Sequence, residues 1–519
     1  MEAIRLFMWG YQGHFQSAVK SKLKSLLLTL GVEAEAEVYL VGKLLSPTEG
    51  SYAVCIEPET SVWNEVTFKD LAKIEVQMLE QHEGRQIIQS HPIAQKHQDD
   101  RIKKQSFLRA IQEIVTGIPD SQNKSTYSTS PIKVGDYLVT TVLQIPDKDL
   151  LPPNSLKVDS YEINEYRRFR LSKSLIDAAV YSLLDEITIA LRKDEPGAFP
   201  SGDFEKSNGE IIRKAGDNFL QEIELKAVGI QGRGDLFPLL NKISSLKYEG
   251  AEIEGSIIIA KKGHPNLELT IELSPAIELS DARRIRKLAQ ITDNELHLII
   301  SSEGAIGFGK IIGEYDCNGE DLFVVGFRKN NTWDLMHNKS ILMRTVLGQP
   351  QMPKRLIDEK KLRLDLPRIF IGIEKEQVDK LFEVIKSAAS QKHGTLLIIS
   401  DKADDESKRL TEEAVTLTPI VLENKVVQQI SEIDGALIVD RLSICYSFGT
   451  ILDGVSKTGK GDPSRGSRYN SAIRYVESQK EDGKYTCVAV IVSSDGMVDH
   501  YPNLRPQIQR STIEKAFLN

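Results

Sequence analysis

The sequence predicts an α/β (α+β) fold, with a C-terminal mixed-sheet domain preceded by two further α/β domains. Its length of 519 residues is enough for three or four domains that each bury a core. In the last third of the chain, apolar strand-like runs alternate with amphipathic helix patterns. Two prolines in Gly348–Pro353 interrupt helix and strand pairing alike. We therefore predict domains over residues 1–150, 155–347 and 354–519.

The first segment mixes strand patterns with helix patterns. Between them, the polar, turn-rich stretch Gly117–Pro131 is typical of a long loop, and Ile145–Asn154 is typical of a connector. The predicted strands are Val38–Val41, Tyr52–Ile56 and Tyr137–Leu143, and the predicted helices are Gln16–Leu30, Phe68–His82 and Asp100–Ile114.

The second segment opens with helix patterns and then becomes rich in strands. A later helix is expected over Ser280–Gln290, with Ser280 as its N-cap. The opening helices are predicted at Leu171–Leu191 and Glu210–Gln221, and the strands at Ala251–Ala260, Leu267–Leu273, Leu296–Ser301 and Asp321–Gly326.

The third segment alternates more regularly, which favours a mixed sheet flanked by helices. Val378, Leu381 and Ile385 recur at helical spacing within the amphipathic stretch Glu376–Ser390. The other predicted helices are Asp404–Glu412 and Ser471–Gln479, and the predicted strands are Arg368–Ile373, Thr395–Ser400, Gly435–Asp440, Leu442–Phe448 and Tyr485–Val492.

The composition is typical of a soluble globular protein and argues against several classes of partner. Apolar residues make up 40% and charged residues 27% of the chain, and the formal net charge is −8. This negative charge disfavours non-specific attraction to nucleic acid or anionic lipid, so no nucleic-acid partner is expected. The cysteines are widely scattered and form no Cys-x-x-Cys pair, so the sequence indicates neither a zinc site nor a disulfide framework.

The chain carries no pattern typical of a secreted or membrane-spanning protein. Its N-terminus has no long apolar core followed by a small-residue cleavage site. No apolar run approaches the roughly 18–20 residues that a membrane helix needs. We therefore expect a cytoplasmic protein with no membrane segment.

Three elements between residues 431 and 496 have the chemistry of a polyphosphate site. Asp434 stands at the edge of an apolar strand, residues 464–472 form an arginine-bearing, glycine-rich loop that opens into a helix, and residues 490–496 end a strand in two hydroxyls and a carboxylate. A carboxylate suits a divalent metal, while loop amides, guanidinium and hydroxyl groups suit phosphate oxygens. This set points to a bound nucleotide.

The third segment resembles the diadenylate cyclase (DAC) domain, the catalytic module of the DNA-integrity scanning protein DisA and of related bacterial and archaeal cyclases. The resemblance covers roughly residues 365–505 and depends on five motifs in the family's order. They are Gly394–Ile399, the triplet Asp434-Gly435-Ala436, Gly449–Asp453, Gly466-Ser467-Arg468 and Val492–Gly496. The resemblance implies that two domains face each other, each holding one ATP, and condense them into cyclic di-AMP with release of pyrophosphate.

The resemblance also implies a role for each motif residue. Asp434 would bind Mg²⁺ or Mn²⁺ and help to activate the attacking 3′-hydroxyl, and Arg468 would stabilise the departing pyrophosphate. Gly435 and Ala436 have little bulk, so a nucleotide can lie close to the backbone. The implied nucleotide-binding residues are Gly435, Ala436, Gly466, Ser467, Arg468, Tyr469, Asn470 and Ser493.

One departure from the family pattern leaves two functions open. The family usually has Arg-His-Arg where this chain has Arg468-Tyr469-Asn470. Losing a charged contact costs roughly 2–4 kcal/mol of transition-state stabilisation, or 10²–10³ in rate. Lys457, Lys460 and Arg465 lie in the adjacent loop and can restore positive charge. The alternative to an active cyclase is a degenerate domain that binds ATP or a cyclic dinucleotide as a sensor; a scaffold that binds neither is a third hypothesis.

The first two segments resemble the variable sensor regions that precede diadenylate cyclase domains in composite bacterial proteins. The stretch Ser302–Gly309 and the helix before it carry this resemblance. It implies that an effector of unknown identity, or a partner, controls the cyclase. The expected partners are therefore ATP, this effector and a second copy of the chain.

Overall fold

The structure, a computed structural model, divides into two compact units, Met1–Pro353 and Lys354–Asn519. The described residues are 8–46, 53–150, 155–158, 160–164, 167–199, 203–229, 235–247, 252–293, 295–328, 331–338, 340–353, 359–389, 394–431, 433–454, 467–492 and 498–505. Among the helices of these residues, none combines the length and the apolar character needed to cross a membrane.

The first unit contains helices and strands, and its strand pairs are antiparallel except for β8 with β10. Its helices are α1 (Gln12–Thr29), α2 (Leu71–Glu80), α3 (Pro92–Thr116), α4 (Asp147–Leu150), α5 (Leu175–Leu191), α6 (Asn208–Val228), α7 (Leu236–Ser245) and α8 (Ala282–Ala289). Its strands are β1 (Glu37–Leu44), β2 (Val54–Glu57), β3 (Lys124–Ser128), β4 (Ile132–Val134), β5 (Tyr137–Pro146), β6 (Ser160–Asn164), β7 (Arg167–Arg170), β8 (Gly255–Ile259), β9 (Leu267–Ile277), β10 (His297–Ser301), β11 (Gly304–Ile311), β12 (Phe323–Arg328), β13 (Thr332–His337), β14 (Ser340–Val346) and β15 (Gln349–Gln351).

The first sheet of this unit has the order β2-β1-β5-β3, with β4 beside β5. Successive side chains of β1 point to opposite faces, so Leu40 joins the cluster that contains Phe15 of α1, while Val41 joins a second cluster with Phe107 of α3. Burial on both faces explains why this strand is almost continuously apolar.

A second sheet has the order β15-β14-β13-β12-β8-β10-β11-β9, and β6 pairs only with β7 among the described strands. The hydrophobic cluster that begins at Met8 continues through α5 and α6 to Met343 in β14. The buried Tyr127 hydroxyl donates to Asp177 Oδ1 at 2.7 Å across the same region. The residues on either side of the boundary predicted near residue 150 therefore share one hydrophobic core and lie in one compact unit.

The second unit is a mixed sheet covered by helices on both faces, as the sequence predicted. Its sheet order is β17-β19-β18-β16-β20-β21, in which β16 and β18 are parallel and the other pairs are antiparallel. The helices are α9 (Glu359–Ile369), α10 (Lys375–Ala389), α11 (Ala403–Arg409), α12 (Asn424–Ile430) and α13 (Ser467–Ser478); the strands are β16 (Thr395–Ser400), β17 (Val415–Val421), β18 (Ala436–Val439), β19 (Ile444–Thr450), β20 (Cys487–Val492) and β21 (Val498–Tyr501).

Two hydrophobic clusters of the second unit lie on opposite faces of this sheet. Leu381 of α10 and Val427 of α12 belong to the cluster that contains Leu397. Tyr475 of α13 belongs to the other cluster, with Ile398. The alternation of Leu397 and Ile398 between the clusters is the period-two pattern of a fully buried strand.

Three local predictions were wrong. The apolar run Arg368–Ile373 is the end of α9 and the turn after it, and Pro367 lies inside that helix. The stretch Gly117–Pro131 contains strand β3, because its polar residues pair with β5. The N-cap of α8 is Asp281, whose carboxylate accepts the backbone N–H of Arg284, and not Ser280.

Candidate functional site

The sheet of the second unit brings several of the sequence motifs to one edge. β16 and β18 are parallel and begin at this edge, where Leu396 is opposite Ala436. The antiparallel strands β20 and β19 end there, with Val492 opposite Thr395 and Thr450 opposite Ala436. The Asp434 turn and the ends of two other motif strands therefore meet although they are distant in sequence.

Gly435 is required by a close approach of two backbones at this edge. Its φ is +119°, and a Cβ atom there would lie 2.3 Å from the carbonyl carbon of Gly449. Gly449 itself has a φ of +62°. No other residue type fits at Gly435 without moving the end of β19, so this contact holds the turn that carries Asp434.

Asp434 and Arg468 form a direct ion pair at the same edge. The Arg468 Nη2 atom donates to Asp434 Oδ1 at 2.9 Å. The Asp434 side chain is 88% exposed and the Arg468 side chain 41% exposed. Exposed pairs of this kind contribute little to stability. Both groups can therefore exchange this contact for a ligand at small cost.

The remaining predicted site residues have different environments. Ala436 is fully buried in the cluster around Tyr475 and pairs with Leu396 on one side and Thr450 on the other. Tyr469 packs against the same cluster, and Asn470 is partly exposed. The predicted residues that lie outside the described part of the chain are Gly466, Ser493, the side chain of Ser467, and the loop residues Lys457, Lys460 and Arg465.

A polar network next to the site was missed by the sequence analysis. Arg409 of α11 donates to both carboxylate oxygens of Asp453, at 2.5 and 2.8 Å, and also contacts Glu406. Glu406 accepts in turn from the Tyr475 hydroxyl at 2.7 Å and from Gln479. The hydrogen bond from Arg409 lowers the pKa of Asp453. This network fixes the exit of β19 against α11 and α13.

The sequence analysis singled out only Asp453 of this network, as the last residue of the motif Gly449–Asp453. Its partner Arg409 lies on α11, and Tyr475, which bonds to Glu406 in the same network, lies on α13, so tertiary packing brings these residues together. Gly454 follows at once, where a Cβ atom would lie 2.9 Å from the backbone of Arg474. The ion pair of Asp453 and the close approach of Gly454 to Arg474 therefore fix the backbone immediately before residues 455–466.

Two exposed aliphatic side chains flank the Asp434 turn. Ile433 is 48% exposed and Ile451 is 59% exposed. Ile433 lies against the position of Gly449, since a Cβ atom there would be 3.2 Å from its Cγ2. The site therefore combines charged groups with an apolar surface, as ligand sites for small molecules usually do.

The donor set at the turn fits a divalent cation that is held mainly by a substrate. Among the described residues, no group of three or more His, Cys, Asp or Glu side chains is placed to hold a metal ion. Asp434 nevertheless offers an exposed carboxylate. Mg²⁺ commonly binds to one or two carboxylates together with substrate phosphates. Asp434 would be the protein ligand in such a site.

Three family models match successive parts of the chain. Residues 8–220 match "Probable sensor domain DACNG", residues 234–339 match "Probable sensor domain DACNH", and residues 383–503 match "DisA bacterial checkpoint controller nucleotide-binding", the DAC domain. The DACNG match continues through residue 150, in agreement with the continuous core of the first unit.

Other comparisons add little. No curated protein matches the chain significantly. Among solved structures, a double cysteine mutant of DacA from Staphylococcus aureus is 19% identical, with a TM-score of 0.21 over 28% of this chain and 96% of that chain. Likeness at this level supports no conclusion about function. The chain therefore carries, in this order, regions that match the models of the DACNG and DACNH sensor domains and of the DisA-type nucleotide-binding domain.

Proposed function

We propose that the second unit is a diadenylate cyclase, which condenses two ATP molecules into cyclic di-AMP and is regulated by the N-terminal region. The observation that carries this proposal is the contact between Asp434 and Arg468 at an edge of a DAC-family domain. A carboxylate suited to proton acceptance and a guanidinium suited to phosphate lie side by side there and are open to solvent.

The reaction requires two nucleotides in opposite orientations. The 3′-hydroxyl of one ATP attacks the α-phosphorus of the other, forming a P–O bond while the bond to the β-phosphate oxygen breaks and pyrophosphate leaves. The hydroxyl proton passes to a base, and a second attack closes the ring. In this proposal Asp434 accepts the proton, and Arg468 neutralises charge on the leaving pyrophosphate.

Other residues of the site would bind and orient the substrate. Ile433 and Ile451 offer an apolar surface for the adenine base next to the phosphate-binding groups. The Arg409–Asp453 pair holds the exit of β19, and hence the position of Ile451. When bound at Asp434, Mg²⁺ or Mn²⁺ supplies positive charge close to the phosphate oxygens.

A product assay on the full-length protein tests this function. The purified chain is incubated with ATP and either Mg²⁺ or Mn²⁺, and the products are identified by mass spectrometry. We expect cyclic di-AMP and pyrophosphate. Failure to form cyclic di-AMP with either ion, under conditions in which ATP binding is demonstrated, would contradict the proposal.

One observation favours the alternative of a nucleotide sensor without turnover. Tyr469, which stands where the family usually has histidine, packs against the hydrophobic cluster around Tyr475. A side chain held in this way is less available to phosphate than a histidine at the rim. Calorimetry with ATP and with cyclic di-AMP, combined with the product assay, separates binding with catalysis from binding alone.

A further inference from the structure

A cluster of polar side chains lies at the end of β13, in the second sheet of the first unit. Tyr315 and Asp321 come from the connection between β11 and β12, His264 comes from the connection between β8 and β9, and His337 ends β13. Both histidines are buried. Tyr315 packs edge-on against His337, with ring centroids 5.7 Å apart. The proposed function uses none of these residues.

The Tyr315 hydroxyl determines which nitrogen of His337 carries a hydrogen. Its oxygen accepts the backbone N–H groups of Asp321 at 3.1 Å and of Leu322 at 3.3 Å. These two bonds occupy the acceptor sites of the phenol, which keeps one hydrogen to donate. His337 Nε2 and Asp321 Oδ1 each lie 3.2 Å from the hydroxyl oxygen. His337 Nε2 must therefore be the nitrogen without a hydrogen, because Tyr315 has no acceptor site left for an Nε2–H group.

The other histidine completes the hydrogen bonding of this cluster. His264 Nδ1 accepts the backbone N–H of Asn266 at 3.1 Å, so the neutral ring carries its hydrogen on Nε2. This Nε2 atom lies 3.2 Å from Asp321 Oδ1 and donates to it. The cluster is therefore fully compatible with a neutral His337.

Burial lowers the pKa of His337, and the charges around the ring do not reverse this effect. Lys226 of α6 lowers the pKa further, whereas Glu320 and Asp321 raise it. Tyr315 stays protonated, since burial raises its pKa to about 12. The titratable and charged side chains that face His337 or its partners are Lys226, His264, Tyr315, Glu320 and Asp321.

Glu320, next to Asp321, holds an earlier segment of the chain. Its buried carboxylate accepts the backbone N–H groups of Lys157 at 2.6 Å and Val158 at 3.2 Å, and it pairs with Lys226 Nζ of α6 at 2.8 Å. Lys157 and Val158 lie in the region that matches the DACNG model, and Glu320 lies in the region that matches the DACNH model. These contacts, called the Glu320 clasp below, therefore join the two sensor regions.

We propose that the DACNH region detects acidity, and that a proton bound at His337 Nε2 opens the Glu320 clasp. The proton comes from the solvent and forms a new N–H group. The cluster can accommodate this group only if the Tyr315 oxygen gives up one of its two backbone hydrogen bonds. Those bonds fix the turn that directly follows Glu320, so the clasp loses its support. Opening of the clasp does not depend on the proposed function, whereas control of cyclic di-AMP synthesis by the clasp rests on it.

The direction of the pH dependence follows from the environment of His337. Its pKa is lower in the closed cluster than in an open one, so the closed state is most stable above about pH 6.5 and loses stability as the pH falls below this value. One titrating group changes the opening equilibrium by at most about tenfold per pH unit. His297 is also buried, but its Nδ1 atom contacts Ser256 Oγ, outside this cluster.

Hydrogen exchange of the full-length protein at about pH 7.5 and about pH 5.5, corrected for the intrinsic exchange rates, tests the clasp. The backbone amides of Lys157, Val158 and Leu322 report on it, because each donates to Glu320 or Tyr315. We expect their protection to fall several-fold at the lower pH, up to the limit of about tenfold, while the amides of β1 keep theirs. Equal protection of the three amides at both pH values would overturn the proposal.

A pair of matched substitutions assigns the effect to one histidine. His337→Gln keeps an acceptor near Tyr315 but cannot gain a proton, whereas His97→Gln makes the same change at an exposed position of α3. We expect His337→Gln to retain the protection of the clasp at about pH 5.5, and His97→Gln to lose it as the wild type does. Equal losses in the two variants would show that His337 is not the sensor.

A measurement on the wild type covers the case in which His337→Gln does not fold. Exchange of the imidazole C2 hydrogens, followed by mass spectrometry, titrates each histidine separately. His337 should take up its proton at a lower pH in the folded protein than in the urea-unfolded protein. Equal midpoints would contradict the proposal.

The same proteins separate the switch from the proposed function. If acid opens the clasp but no cyclic di-AMP forms, the proposed function fails and the switch remains; if cyclic di-AMP forms and the clasp does not respond to pH, the reverse holds. Where cyclic di-AMP forms, the ratio of the wild-type rate to the His337→Gln rate should differ between the two pH values. A constant ratio would refute control of synthesis by the clasp.

Discussion

The Asp434–Arg468 contact pairs the carboxylate that accepts a proton in the proposed reaction with the guanidinium that neutralises the leaving pyrophosphate. Without a ligand, each charge partly neutralises the other at 2.9 Å. A nucleotide with its cation offers Asp434 a positive ion and Arg468 a phosphate, so both partners exchange one charged contact for another. The site therefore does not have to leave either charge unpaired when it binds or releases the nucleotide.

Replacing Asp434 should lower the activity of the protein without lowering the stability of its fold. We expect Asp434→Asn to lower the rate of cyclic di-AMP formation by at least about 10²–10³-fold, because the substituted amide neither accepts the proton nor binds the cation well. Asp379→Asn is a matched control, since Asp379 is also a partly exposed carboxylate paired with an arginine, Arg363. Both variants should melt near the wild-type temperature. Undiminished turnover in Asp434→Asn would contradict the role given to this carboxylate.

The Gly435–Gly449 contact gives a second prediction at the residue scale. Gly435→Ala should lower the free energy of unfolding by about 1–3 kcal/mol through overpacking, in addition to the cost of its positive φ. Gly483→Ala is the control, because Gly483 has a φ of +76° but no atom within 4 Å of the added Cβ. Urea unfolding should show the larger loss for Gly435→Ala; equal losses would mean that the close backbone contact is not important.

Among the elements, α9 depends on one buried carboxylate that links it to the chain after β21. Asp365 is fully buried and accepts from Lys361 at 2.5 Å, from His500 at 3.2 Å and from the Leu504 N–H at 3.1 Å. Burial alone would raise the pKa of Asp365, but these hydrogen bonds outweigh it and hold the pKa below its usual value. The ionised form is therefore the form that stabilises the fold.

Asp365→Asn should cost about 1.5–3 kcal/mol near neutral pH, because it removes the charge-assisted hydrogen bond from Lys361, whose side chain is only 20% exposed. The pKa of Asp365 is lower in the folded than in the unfolded state, so its contribution is complete above the unfolded value and is lost as the pH falls through the folded one. Urea unfolding of both proteins should give a constant difference down to about pH 4 and a smaller one below it. A difference that shrinks well above this pH would contradict the assignment.

The sequence predicted most buried elements but not those that depend on distant partners. Thr395–Ser400 has the continuous apolar stretch Leu396–Ile399, as a strand buried on both faces needs, and its predicted bounds are those of β16. The range Arg368–Ile373 also contains an apolar stretch, yet a short stretch of this kind fits a helix end as well, and Phe370 is buried there. The exposed edge strand β17 was missed because its side chains show no buried pattern.

The candidate site was predictable only in part, because its residues also depend on partners that are distant in the sequence. Asp434 and Arg468 are 34 residues apart, and the sequence suggested them together through their chemistry and through a family resemblance, not through any local pattern. The Arg409 network could not be predicted from the sequence, since its members come from α11, α13 and the chain after β19. Polar residues such as these acquire a shared role only through tertiary structure.

For the whole molecule, the proposed reaction requires two chains. Each DAC domain would hold one ATP, so a free monomer lacks the second substrate. We expect the specific activity to fall on dilution and to recover on concentration. Adding excess Asp434→Asn protein to the wild type should inhibit it by forming mixed pairs, whereas Asp379→Asn protein should not. Constant specific activity of a verified monomer across wide dilution would contradict the requirement.

The two units should also unfold separately. Each hydrophobic cluster of the described residues lies entirely within one unit, so no common core links their stabilities. Differential scanning calorimetry should resolve two transitions, and ATP with Mg²⁺ should raise the temperature of one of them selectively. A single transition that shifts as a whole would show that the units unfold as one cooperative block.

The continuous core of the first unit limits how the gene can be divided for expression. A fragment that stops near residue 150 would keep Phe15 and Tyr127 but lose α5 and α6, which cover them. Such a fragment would expose a hydrophobic surface to water and tend to aggregate. Recombinant fragments that end at Pro353 retain the whole first unit with its core, so they are the best starting point for crystallisation of this unit.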